Sequence, residues 1–203
     1  MRLAKAISYI THPVFATIAM LVFVLFQKDS YVYYTISEQG RWFFILVATV
    51  LTVVAPMISV GYLVYSNQIS SIHIENRNER IIPLVITAAY GFGLYYLFSQ
   101  FQIPSIILAI AGVGVIGVIT TLLITMFWKI SAHMVAISGF GGMVLALSHQ
   151  VHPVDTWVIM GIFILMGIIG WARLRLEAHT FWQVIVAWII GFIIAYQATV
   201  YLL

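Results

Sequence analysis

Three polar clusters interrupt a chain that is otherwise almost without charge. The first runs Ser71-Ile-His73-Ile-Glu75-Asn-Arg77-Asn-Glu79-Arg80, the second Trp128-Lys129-Ile-Ser131-Ala132-His133, and the third Arg173-Leu-Arg175-Leu-Glu177-Ala-His179-Thr-Phe-Trp-Gln183. Ionisable groups at membrane depth are costly, so each is a functional candidate by default. Ser131 and Ala132 stand where a helix would begin, and the free N–H groups and positive dipole end of a helix start attract anions. Arg80 and Arg173, from separate segments, add planar forks that match phosphate oxygens. His133 and His179 titrate near neutrality, so one can act as nucleophile and the other as acid and base. Together these residue types suffice to move a phosphoryl group without a metal.

Taken singly, each cluster has a structural explanation. Arg77, Glu79 and Arg80 fit a solvated loop, His133 fits a core histidine satisfied by a backbone carbonyl, and Arg173 and Arg175 fit interfacial anchors. Their convergence favours the chemical reading. The elements that must position them are membrane helices. Of the 203 residues, 63% are apolar and only 7% charged, and there is no cysteine. A soluble domain, a disordered segment and a disulfide-stapled secreted domain are excluded on that composition. The net charge of +3 is too small and too dispersed for a nucleic-acid footprint. The fold class is therefore all-α, a polytopic transmembrane bundle in one domain. A crossing needs about 20 apolar residues, which gives six or seven spans, roughly 8–26, 42–66, 81–100, 104–127, 131–149, 155–171 and 181–203. Arg2 and Lys5 lie on an amphipathic lead-in, and His12-Pro13 marks the bend before the first span. Ser138, Gly139, Gly141 and Gly142 make a small face for close helix packing.

Parity places the loops at 67–80, 128–131 and 171–180 on one side of the membrane with the N-terminus. That side collects Arg2, Lys5, Arg77, Arg80, Lys129, Arg173 and Arg175, against Lys28 and Arg41 on the other. The positive-inside rule makes it cytoplasmic.

At these residues the chain resembles the type-2 phosphatidic acid phosphatase superfamily, which also contains the vanadium haloperoxidases. Arg173-x5-His179-x3-Gln183 is similar to that family's third motif, Ser-Arg-x5-His-x3-Asp. Ile130-Ser131-Ala132-His133 is similar to the second, Pro-Ser-Gly-His, and His73-x6-Arg80 to the first, Lys-x6-Arg-Pro, with Pro83 further on. The motif resemblance covers about residues 70–203, and the first two spans carry no motif; the whole chain also resembles a group of short bacterial members of that superfamily. It implies a phosphatidic acid phosphatase-like core in a cell inner membrane and a lipid or isoprenyl phosphate as substrate. It also implies a cofactor- and metal-independent hydrolysis through a phosphohistidine. His179 would attack phosphorus. His133 would protonate the leaving alkoxide and then activate water. Arg80, Arg173, Ser131 and the N–H of Ala132 would hold the phosphoryl oxygens, with the position of the family's lysine taken by His73 and its charge supplied by Lys129 or Arg77.

Four departures from the family pattern matter: His73 for Lys, Ala132 for Gly, Ala172 for Ser and Gln183 for Asp. Gln183 lies one helical turn after His179, so the two side chains can meet; its carbonyl can fix a tautomer but supplies no charge, unless Glu75 or Glu79 does. The alternative is a non-catalytic member that binds a phospholipid head group or serves as a subunit of a membrane complex. The family's sites usually face away from the cytoplasm, opposite to the side the charge count gives. Magnesium-diphosphate chemistry lacks its Asp-rich motifs, and His149 and His152 read as interfacial residues at the opposite rim rather than as a metal pair.

Overall fold

The computed structural model describes residues 1–71 and 76–203. His73 and Glu75, singled out in the first cluster, lie outside the described residues. Among those residues every regular element is helical, and seven helices are long and apolar enough to cross a membrane. The chain is a multi-pass membrane protein by that measure.

The first crossing is interrupted. Helix α1 (Arg2–Ile10) ends at Thr11, a 3-10 turn covers Pro13–Phe15, and α2 (Ala16–Phe26) continues the path. His12 is extended, at φ −60° and ψ 135°, and its Nδ1 accepts from the Val14 N–H at 3.3 Å. The bend falls where the residue before a proline must leave helical geometry.

A short helix α3 (Tyr31–Thr35) follows, unannounced by any periodicity in five residues. The second crossing then begins at α4 (Glu38–Thr49), earlier than residue 42, because Ser37 caps it by accepting from the Gly40 N–H. That shift puts Arg41 inside a helix. Arg41 is 7% exposed, its guanidinium sits 4.0 Å from the Tyr33 ring centroid, and it donates to the Tyr33 carbonyl at 3.2 Å. It is therefore a buried pin and not a loop charge that could orient the chain. A π turn at Val50–Val54 leads into α5 (Ala55–Tyr65), where Pro56 removes an N–H from the ladder.

Helices α6 (Ile81–Ser99) and α7 (Ser105–Phe127) form the expected tight hairpin through Phe101, Gln102 and Ile103. Helices α8 (Ala132–Gln150) and α10 (Phe181–Leu202) make the most extensive pairing among the described residues. Its cause is the small face: a Cβ on Gly142 would strike the Phe192 carbonyl, and one on Gly191 would lie 2.6 Å from the Val135 carbonyl and against the Ser138 hydroxyl. Helix α9 (Thr156–Arg175) runs one turn beyond residue 171, which makes Arg173 and Arg175 part of a helix end.

A large apolar core joins α2, α4, α6, α7 and α8 through residues such as Leu25, Phe44, Phe98 and Ile107. A second, smaller core of Ile130, Met134, Val135, Ile169, Val184 and Ala187 ties the start of α8 to the end of α9 and the start of α10, with Ile7 of α1 against it. The second and third polar clusters sit on this second core.

Candidate functional site

His179 owes its position to the way α9 ends. Glu177 takes a left-handed conformation, φ 53°, while its N–H bonds the Leu174 carbonyl and the Ala178 N–H bonds the Arg173 carbonyl. This closure turns the chain back on itself and leaves His179 just ahead of α10. Thr180 then caps α10: its Oγ1 accepts from the Gln183 N–H at 3.4 Å, and Gln183 Oε1 accepts from the Thr180 N–H at 3.1 Å.

The cap settles the chemistry of the neighbouring imidazole. A backbone N–H can only donate, so the Gln183 atom that receives it is the carbonyl oxygen, and the amide orientation is fixed. The same Oε1 lies 3.2 Å from His179 Nδ1. Nδ1 must carry the proton, and the lone pair sits on Nε2. Burial first, then the Arg173 and Arg80 guanidiniums and the Lys129 ammonium, together hold the His179 pKa down to about 3, with the Gln183 hydrogen bond opposing the shift. At neutral pH His179 is an uncharged imidazole with one unprotonated nitrogen, 7% exposed.

Arg173 at the end of α9, Arg80 just ahead of α6 and Lys129 just ahead of α8 all act electrostatically on His179, so three cations separated in sequence bear on one histidine. Arg77 is half-buried at the opening of the Asn78–Arg80 turn and is not among the charges acting on His179. A hollow of about 350 Å³ opens beside the imidazole, walled by Lys129, Glu177, Thr180 and Gln183.

Two buried polar atoms near this point have no partner among the described residues. Ser131 caps α8 in the extended conformation and is fully buried, yet its Oγ takes no N–H of its own helix. Arg173 Nε is likewise buried and unpaired. Each such group costs about 1–3 kcal/mol relative to a satisfied one, and an anion would offset both. The N–H groups of Ala132 and the next residues, left open by any helix start, add to that donor set.

The neutral Gln183 is the hydrogen-bond partner of His179; of the two acidic candidates, Glu75 lies outside the described residues. Glu79 is used elsewhere, accepting from the Ser70 N–H and hydroxyl at 2.7 Å each. His133 is engaged too. Its Nε2 lies 3.0 Å from the Ser8 carbonyl, and the His12 ring stands edge-on to it at 5.5 Å. Arg173 donates from one arm to the Ser8 hydroxyl at 3.2 Å. Ser8 and His12 are thus members of the site that motif spacing did not find: they come from the N-terminal segment, which carries no motif. The Thr180-x-x-Gln183 capping signature was readable in the sequence. No family model, no curated protein and no solved structure matches this chain.

Proposed function

We propose that the protein is an integral-membrane, metal-independent phosphatase of a lipid or isoprenyl phosphate, working through a phosphohistidine on His179 in a bacterial inner membrane. The observation that carries the reading is the Gln183 carbonyl holding the Nδ1 proton of a buried, neutral His179. Nε2 keeps the lone pair an attack on phosphorus needs, and the cations around it match a transition state whose charge spreads over three oxygens.

In this reading Nε2 bonds to phosphorus as the ester oxygen leaves. Arg173, Arg80, Lys129, the Ser131 hydroxyl and the Ala132 N–H hold the three equatorial oxygens. The leaving alkoxide takes a proton from His133; water then bonds to phosphorus while losing a proton to His133, the P–N bond breaks, and phosphate and a free His179 Nε2 result. The exposed rings of Phe181 and Trp182, next to the Thr180 that walls the hollow, suit an acyl or prenyl tail arriving from the bilayer. The test is phosphate release in detergent, with chelator present, from phosphatidate, an isoprenyl phosphate and a lipid diphosphate. Wild type is expected to turn over at least one, and His179→Ala none. Equal release by the two proteins across the panel contradicts the reading.

A second reading has its own support. Gln183 supplies no negative charge to an imidazolium, and the proton that His133 would give away is directed at Ser8. Both favour a pocket that binds a phosphorylated head group without turning it over. Phosphate binding without release, on the same protein, selects it.

A further inference from the structure

Resting on the anion-pocket reading, we propose that α1 is a plug seated in that pocket, and that a phosphoryl group must displace it to reach His133 and Arg173. One residue does the seating. Ser8 is 8% exposed, its hydroxyl accepts from Arg173 and its carbonyl lies on His133 Nε2. The acceptor oxygens of Ser8 therefore stand where phosphoryl oxygens would, and they occupy one donor from each of two residues the chemistry needs. They do not satisfy the set. Arg173 Nε and Ser131 Oγ remain buried and without a partner among the described residues with the plug in place. A neutral hydroxyl and a carbonyl are weaker partners for a guanidinium than a phosphate, which offers charge and two oxygens at once. The contact is of a kind that an anion outcompetes.

The helix is built to move as a unit. It is separated from α2 by Thr11, the extended His12 and Pro13, whose ring nitrogen cannot continue the helical ladder. Its three sides face three surroundings. Ala4 and Ser8, one turn apart, face the bundle and are buried. Leu3 and Ile10 present exposed apolar surface, and Arg2 and Lys5 are exposed cations. A helix so divided suits the membrane boundary at the start of the first crossing, apolar edge toward the acyl chains and cations toward lipid phosphates. Leaving the pocket would not expose it to an unsuitable medium. The substrate arrives at that same interface.

The test uses the full chain in detergent, with inorganic phosphate as the probe. Ser8→Ala keeps the backbone carbonyl but removes the competitor at Arg173, and is expected to bind phosphate at least threefold tighter than wild type. Ser8→Asp places a carboxylate against Arg173 and is expected to bind at least tenfold weaker, with no loss of thermal stability. Because the chain contains no cysteine, a nitroxide on Ala6→Cys reports α1 alone, and saturating phosphate is expected to increase its mobility. Phosphate binding that is equal in wild type, Ser8→Ala and Ser8→Asp, or a nitroxide signal unchanged at saturation, overturns the plug and leaves the pocket standing. Weaker binding by Ser8→Ala also overturns it, since Ser8 would then support the ligand. Absence of binding in every variant overturns the pocket and the plug together.

Discussion

At the scale of single residues, the account turns on Gln183 doing two jobs with one oxygen. It caps α10 through the Thr180 N–H and fixes the His179 tautomer through Nδ1. Gln183→Leu removes both and is expected to lower turnover about 100-fold, with a stability loss of about 1 kcal/mol in thermal unfolding. Gln183→Asp restores a charge to the imidazolium and is expected to raise turnover about tenfold, the worth of a strengthened charge-assisted hydrogen bond. A drop in turnover for that variant would mean that orientation, not charge, is what the position supplies. The depressed pKa of His179 has a sign that can be checked. Between the ordinary value of 6.5 and about 3 the unfolded chain holds the proton and the folded one does not. Stability therefore falls as pH is lowered through that window, by up to about 1.4 kcal/mol per pH unit. Melting curves of wild type between pH 7 and 4.5 should steepen in that sense, and those of His179→Gln should lose the component. Parallel curves for the two proteins would contradict the buried neutral imidazole.

At the scale of elements, close approach of α8 to α10 keeps the start of both helices, and hence Ser131 and His179, on one small core. Gly191→Val would drive a side chain into the Val135 backbone and the Ser138 hydroxyl. The expected cost is about 1–3 kcal/mol from overpacking, read as a lower melting temperature, and a weakened phosphate site follows. Gly61→Val, where a Cβ meets nothing within 4 Å, is the control and should leave both unchanged. Most of these elements were legible beforehand, because a run of apolar residues about as long as the bilayer is thick has only one stable form. The misplacements have physical causes. In the sequence Arg41 has the look of a loop charge because a charge normally marks a span's edge, and the Phe26 and Tyr33 rings that shelter it are too distant for a local pattern to show. The same rule ends the sixth span ahead of Arg173, the first arginine of α9. Helix α3 is too brief to show a period.

At the scale of the whole molecule, four segments far apart in sequence meet at one end of the bundle. The motif-bearing three could be placed together by counting spans. The fourth, α1, could not, since nothing in Ser8 or its neighbours signals a contact with Arg173 or His133. The site as the sequence drew it was therefore an open pocket, and the structure fills part of it. The shared end makes a topological prediction. In sealed vesicles, single cysteines at Asn76 and Glu177 should react with a membrane-impermeant maleimide from one side, and cysteines at Gln102 and Pro153 from the other. Asn76 and Glu177 labelling from opposite sides would separate Arg80 from His179 and dissolve the site.

The central claim is that His179, under the charges of Arg173, Arg80 and Lys129, offers an unprotonated Nε2 to an anion. The nitrogen resonances of its imidazole, recorded in 15N-histidine-labelled protein before and after inorganic phosphate is added, test this most directly. The account predicts a protonated Nδ1 and a bare Nε2 at pH 7, no titration down to pH 5, and a shift at Nε2 on saturation with phosphate. A proton on Nε2, an ordinary titration near 6.5, or an Nε2 signal indifferent to phosphate would contradict it.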